Sequence, residues 1–263
     1  MKGGTAISLA VLALVLVPAP AGAGTSSGTA VPELALTATP ARLAFAGSGT
    51  ATVRVANTGP RSIRVDVGRA GFALDLRGRP RVVQQTGPRA AVSWLRIGPA
   101  RFVIPAGASR QVQVSARLPA GAEPGDHDAL LLLTTRPESP ARVAVRMRIG
   151  VVVVVRAPGR VVRRIVLAAL RSRSAGAARR VELRLANRGN VTERLARGSV
   201  RVRLTRGRAV ALLSVEPREL RRRSTGVVEI AYRGPLRGWV TARVVVARDR
   251  DRPLVSRTFR VKL

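Results

Sequence analysis

The chain has 263 residues, 46% hydrophobic and 23% charged, enough to build a packed core in one large domain or two ordinary ones and too apolar for a disordered chain. Forty-seven Lys and Arg stand against 14 Asp and Glu, a net charge of +33, and only Lys2 and Lys262 among the basic residues are lysine. With no cysteine and a single histidine, His127, the chain has no disulfide framework, no thiolate metal site, no cysteine nucleophile and almost nothing from which to build a Ser-His-Asp triad or a multi-histidine metal centre.

Residues 1–23 read as a secretory signal peptide. Lys2 gives a positive start, Ala6 to Val17 is an unbroken apolar run, Pro18 ends it, and Ala21-Gly22-Ala23 offers a small-x-small cleavage site. A membrane anchor would need about 20 apolar residues, and Pro18 and Pro20 close this run short of that. Residues 24–33 are rich in Gly, Ser and Thr and read as a flexible lead-in. The mature protein is therefore expected to be secreted and associated with the cell envelope.

From there the chain alternates with period two. Thr50 to Asn57, Ser62 to Val67, Arg110 to Ala116, Arg142 to Ile149, Arg179 to Ala186, Ser199 to Leu204 and Val240 to Val246 each place polar and apolar side chains on opposite faces of a strand. Turn signals such as Asn57-Thr58-Gly59-Pro60, Ile104-Pro105-Ala106-Gly107 and Glu123-Pro124-Gly125 fall between them. Val151 to Val155 reads as a fully buried strand, and Arg257 to Leu263 as a last strand. Val161 to Leu170 is the one helical candidate, although Arg163-Arg164 within it suits an opening strand equally well. Short strands at this spacing predict an all-β chain of antiparallel sandwiches.

A weak repeat points to two domains. Val53 to Gly59 (VRVANTG) resembles Leu183 to Gly189 (LRLANRG) at a constant offset, each copy a strand running into an Asn-x-Gly turn. A boundary at Arg156-Ala157-Pro158-Gly159-Arg160 divides the chain into 34–157 and a second, Arg-rich domain, 158–263.

Thr39-Pro40-Ala41-Arg42-Leu43, Val53 to Gly59, Gly71 to Asp75, Ser93-Trp94-Leu95, Phe102 to Gly107 and Leu118 to His127 together make a longer pattern. It resembles the N-terminal, peptidoglycan-binding-type domain of WxL-interacting proteins of Gram-positive bacteria. It is also similar to the immunoglobulin-like N-terminal domain of pilus chaperones. The resemblance implies two immunoglobulin-like β-sandwiches, with the second domain matching in position and strand pattern only. It implies wall binding by the first domain. The transmembrane helix that follows the two domains in the WxL-interacting family has no counterpart here, so membrane anchoring is not implied. In pilus chaperones, a strand at the end of the first domain lends alternating apolar residues to a subunit lacking one; here Val143, Val145, Met147 and Ile149 share such a face. The same face also suits completion of its own sandwich.

Candidate chemistry is sparse. Asp126-His127-Asp128 would place the carboxylates and the imidazole on opposite strand faces, which suits a polar turn entering the apolar Ala129 to Leu133 better than a metal. Gly47-Ser48-Gly49 has no helix after it and cradles no phosphate. The acids are scattered, and none stands out as half of a glycoside-cleaving pair. Trp94 and Trp239 are expected in the core or at a sandwich edge, with stacking on sugar rings the alternative. No catalytic residue, metal or cofactor is assigned.

Arg excess is the largest signal. Residues 31–157 hold 18 Arg against seven acids; residues 158–263 hold 27 Arg and one Lys against seven. Arg163, Arg164, Arg179, Arg180, Arg221, Arg222 and Arg223 are the densest points and the candidate polyanion-binding residues, because a guanidinium forks onto carboxylate or phosphate. A GC-rich genome also writes Arg for Lys, though that leaves the scarcity of acids unexplained. The reading is a non-catalytic cell-envelope protein that binds an anionic cell-wall polymer or another exported surface protein. Its alternatives are a chaperone-like module donating a strand and a cell-wall-active enzyme. With seven aromatic residues and no groove-reading motif, nucleic acid is disfavoured.

Overall fold

The computed structural model describes residues 35–84, 90–136, 146–175, 178–249 and 252–263. The expected signal peptide, 1–23, and lead-in, 24–33, lie outside them. Strand dominates; the single helix among the described residues, α1 (Ala91–Trp94), is one turn long. The chain divides into two compact units, 1–72 with 82–122 and 127–157, and 73–81 with 123–126 and 158–263.

The first unit is a sandwich of two sheets. One runs β1 (Leu36–Thr39), β3 (Gly49–Asn57), β8 (Ser109–Ala116), β6 (Leu95–Gly98). The other runs β2 (Arg42–Ala46), β10 (Arg148–Ala157), β9 (Gly125–Arg136), β4 (Ile63–Leu74), β5 (Pro80–Val83), with β7 (Arg101–Ile104) also on β4. The opening strand thus splits between the sheets, β1 antiparallel to β3 and β2 parallel to β10, in an immunoglobulin-like arrangement. Period-two patterning drives it. Val53 and Val55 on β3, Val112 and Val114 on β8, and Leu131 and Leu133 on β9 are fully buried in one core. The valine run behaves likewise, with Val151, Val153 and Val155 in that core.

The second unit repeats the plan. β11 (Ile165–Ala175), β12 (Ala178–Asn187) and β17 (Thr225–Tyr232) form one sheet. β15 (Ala209–Ser214), β14 (Val200–Arg206), β18 (Trp239–Asp249) and β19 (Arg252–Lys262) form the other, and β13 (Glu193–Leu195) pairs with β16 (Arg218–Leu220). The helical candidate is not helix: Val161 to Arg164 lie in no regular element, and β11 begins at Ile165 and forms an antiparallel ladder with β12, with a register shift between Leu167 and Ala169. That ladder satisfies its backbone groups, and Ile165, Leu167 and Leu170 enter the core.

The two Asn-x-Gly turns have the same internal wiring. The Asn57 amide donates to the carbonyls of Arg61 (2.7 Å), Ile104 (3.1 Å) and Pro105 (3.1 Å), and its Oδ1 accepts from Gly59 N–H (3.0 Å). The Asn187 amide donates to the carbonyls of Val191 (2.8 Å) and Leu220 (3.1 Å), and its Oδ1 accepts from Gly189 N–H (2.9 Å). Both asparagines are buried. Gly189 is required for space: a Cβ there would lie 2.3 Å from the Val162 carbonyl oxygen.

Candidate functional site

Two surfaces were singled out in the sequence. The first is the strand at Arg142 to Ile149. Val143 and Val145 lie outside the described residues. Met147 packs against the first core and Ile149 is 9% exposed within it, so these two side chains serve their own sandwich. Met147 exchanges hydrogen bonds with buried Thr135, its N–H donating to Oγ1 (2.9 Å) and its carbonyl accepting from Thr135 N–H (2.9 Å). Odd-numbered residues of β10 thus address β9. Even-numbered ones address β2: Val152 N–H donates to the Ala41 carbonyl (3.0 Å), and the Arg156 carbonyl accepts from Gly47 N–H (2.9 Å). The β2 register covers only Val152 to Arg156. The backbone groups of Arg148 and Gly150 therefore face an edge that no described residue pairs, and both residues are exposed.

The second surface is the set of arginine clusters, and most of these have acidic partners. Arg163 Nη1 donates to both oxygens of Glu193 (3.0 and 3.1 Å), a carboxylate only 7% exposed. Arg164 is exposed. Arg179 is half-buried, and Arg180 lies 3.4 Å from Glu229. Arg221 is buried, 5% exposed, and donates to Glu219 (3.0 Å). Arg222 (3.0 Å) and Arg223 both pair with Glu123. Arg223 reaches it from the left-handed backbone region, φ 51°. Burial alone would raise the Glu123 carboxyl; Arg222 and Arg223 outweigh it and hold the group below the usual carboxylate range. The run Arg221-Arg222-Arg223 is thus largely spent inside its own unit.

Segment 73–81 carries another carboxylate network. Asp75 Oδ1 accepts from the N–H groups of Arg79 (2.8 Å) and Arg77 (2.9 Å), and the Arg79 bond leads in holding its carboxyl low. Arg77 donates to Glu229 (2.8 Å), which is lowered first by that hydrogen bond. Arg218 donates to the carbonyls of Leu76 (2.5 Å) and Arg77, and burial pulls its guanidinium below its ordinary value. These links predict a pH dependence. Glu229 has a depressed folded pKa, so its contribution is present above the ordinary value of 4.5 and disappears as pH falls through the lowered one. Glu229→Gln is expected to lower stability slightly at pH 7 and by progressively less as pH falls below 4.5, measured by urea unfolding of both proteins across that range.

The remaining candidates resolve simply. Asp126 is buried and accepts from Thr192 N–H (2.8 Å), while the His127 ring stands 4.5 Å from that of Trp94. Among the described residues no group of His, Asp or Glu is placed to hold a metal ion. Trp94 is core, 5% exposed. Trp239 departs from the expected core or edge position: it lies on an outward register position of β18, opposite Lys262, and is 55% exposed. Its strand parity was readable from Val240 to Val246, and that parity already turns it outward.

No protein-family model matches the chain, the WxL-interacting family included, and no curated protein matches it. Solved structures do. A chain of a chaperone–tip adhesin complex of CFA/I fimbriae biogenesis is similar at 9% identity and TM-score 0.48, over 86% of this chain and 98% of that one. A chain of the CsuC–CsuE chaperone–tip adhesion subunit pre-assembly complex from Acinetobacter baumannii is similar at 15% identity and TM-score 0.46, over 86% and 98%. A chain of the complex of the Salmonella enterica pilin SafA with the chaperone SafB is similar at 12% and 0.46, over 89% and 99%.

Proposed function

We propose that this chain is a non-catalytic, chaperone-like binding protein of the cell envelope that holds an extended segment of another exported protein by strand addition. One observation carries the reading: β2 pairs β10 only from Val152 onward, so among the described residues nothing pairs the N–H and C=O groups of Arg148 and Gly150 on that side. An edge of this kind recruits an extended peptide through main-chain hydrogen bonds. Binding through backbone groups is compatible with the inward packing of Met147 and Ile149.

The test uses Gly150→Pro. Proline removes the N–H on the side away from β9, where among the described residues no ladder hydrogen bond is lost. The tagged chain, isolated from the envelope of its own host, is expected to bring down one exported protein stoichiometrically. Gly150→Pro should cut that recovery by about tenfold, the loss of roughly 1.4 kcal/mol. Arg148→Ala keeps its N–H and should retain the partner. Equal recovery by wild type and Gly150→Pro would refute the reading.

A further inference from the structure

The outward face of the sheet β15-β14-β18-β19 differs from the rest of the second unit. Cross-strand register assigns the positions: Arg203 stands opposite Arg243 and Leu212, Arg243 opposite Thr258, and Thr241 opposite Arg260 and Thr205. Trp239 and Lys262 form the last pair. From residues 201–205, 210–214, 239–245 and 256–262, every outward position is basic, apolar or hydroxyl-bearing; none is Asp or Glu. The contrast with Arg163, Arg180 and Arg222 is direct, since each of those faces a carboxylate. Placing Arg203 beside Arg243 sets like charges opposite each other, which costs stability in the free protein and is relieved by a bound anion.

Arg260 caps the Trp239 ring at 5.3 Å from its centroid, and more than half of the residue remains exposed. Leu212, 77% exposed, lies on the same face. Thr205, Thr241, Ser256 and Thr258 add hydroxyl groups between the arginines. We infer that this face binds a carboxylated polysaccharide: guanidinium groups pair with carboxylates, hydroxyls bond to sugar hydroxyls, and Trp239 stacks on a ring. A single aromatic platform disfavours single-stranded nucleic acid, which stacks successive bases on successive aromatic side chains. The inference stands apart from strand addition in the first unit.

The experiment titrates the full chain with a defined oligogalacturonate, following Trp fluorescence and calorimetry. Trp94 is buried, so the fluorescence response reports Trp239. Binding should weaken as salt rises. The double variant Arg203→Gln/Arg243→Gln should weaken binding by about tenfold, and Arg260→Gln alone should weaken it measurably. Trp239→Phe should abolish the fluorescence change. A control of the same charge, Arg96→Gln/Arg110→Gln in the first unit, should leave affinity within about twofold, because neither residue lies on this face. Three results would overturn the inference: no binding of the oligogalacturonate at millimolar concentration, equal weakening by the control variant, or binding of poly(dT) with none of the oligogalacturonate.

Discussion

Asn187→Asp is expected to destabilise the second unit by about 3 kcal/mol, with a fall in thermal midpoint on the order of 15 °C. The substitution preserves shape and keeps the Oδ1 acceptor for Gly189 N–H. It removes the two donors that satisfy the carbonyls of Val191 and Leu220. A carboxylate oxygen then faces two carbonyl oxygens at a site with no solvent exposure. Burial and that repulsion favour the protonated form, so the folded pKa is raised and the damage should shrink as pH falls. Asn57→Asp should act in the same way on the first unit, where three carbonyls lose their donor. Differential scanning calorimetry at pH 7 and pH 4 checks both. A loss below 1 kcal/mol at pH 7 would show that these asparagines do not hold the turns.

Leu131→Ala should cost the first unit about 3 kcal/mol by leaving a cavity at the centre of its core. Leu131 is fully buried on β9 and shares the core with Val53, Val65, Ile104 and Val153 from both sheets. Close-packed β-strands relax little around a missing side chain, so lost contacts add to the lost transfer free energy. Leu212→Ala is the matched comparison: Leu212 is 77% exposed, and its removal should change stability by less than about 0.5 kcal/mol. Urea midpoints for the two variants measure the difference, and similar losses would contradict the inward assignment of Leu131.

Much of the fold is legible in residue order. Alternation in Val53-Arg54-Val55 and Val202-Arg203-Leu204 places valine and leucine in the cores and arginine outside, because successive strand side chains take opposite faces. The unbroken valine run differs because both faces of β10 are covered there: Val151, Val153 and Val155 enter the core, and Val154 on the opposite face is also buried. Asn57 and Asn187 were visible as turn residues. The reach of their amides to Ile104, Pro105 and Leu220 was not, since those carbonyls lie 33 to 48 residues away.

Local pattern, through strand parity, turn chemistry and composition, decides that this is an all-β, strongly basic chain of antiparallel sandwiches. Tertiary structure alone decides which arginines are engaged. Arg222 and Arg223 meet Glu123 across about a hundred residues of chain, and Arg221 is turned inward, although the three look alike in sequence. Arg203 and Arg243 come together only through register between β14 and β18. Among the described residues, Arg148 and Gly150 lack a partner on the β2 side because β2 begins pairing only at Val152. Charge pairing and edge exposure depend on distances between remote segments, and those distances are set when the sheets pair and the cores close.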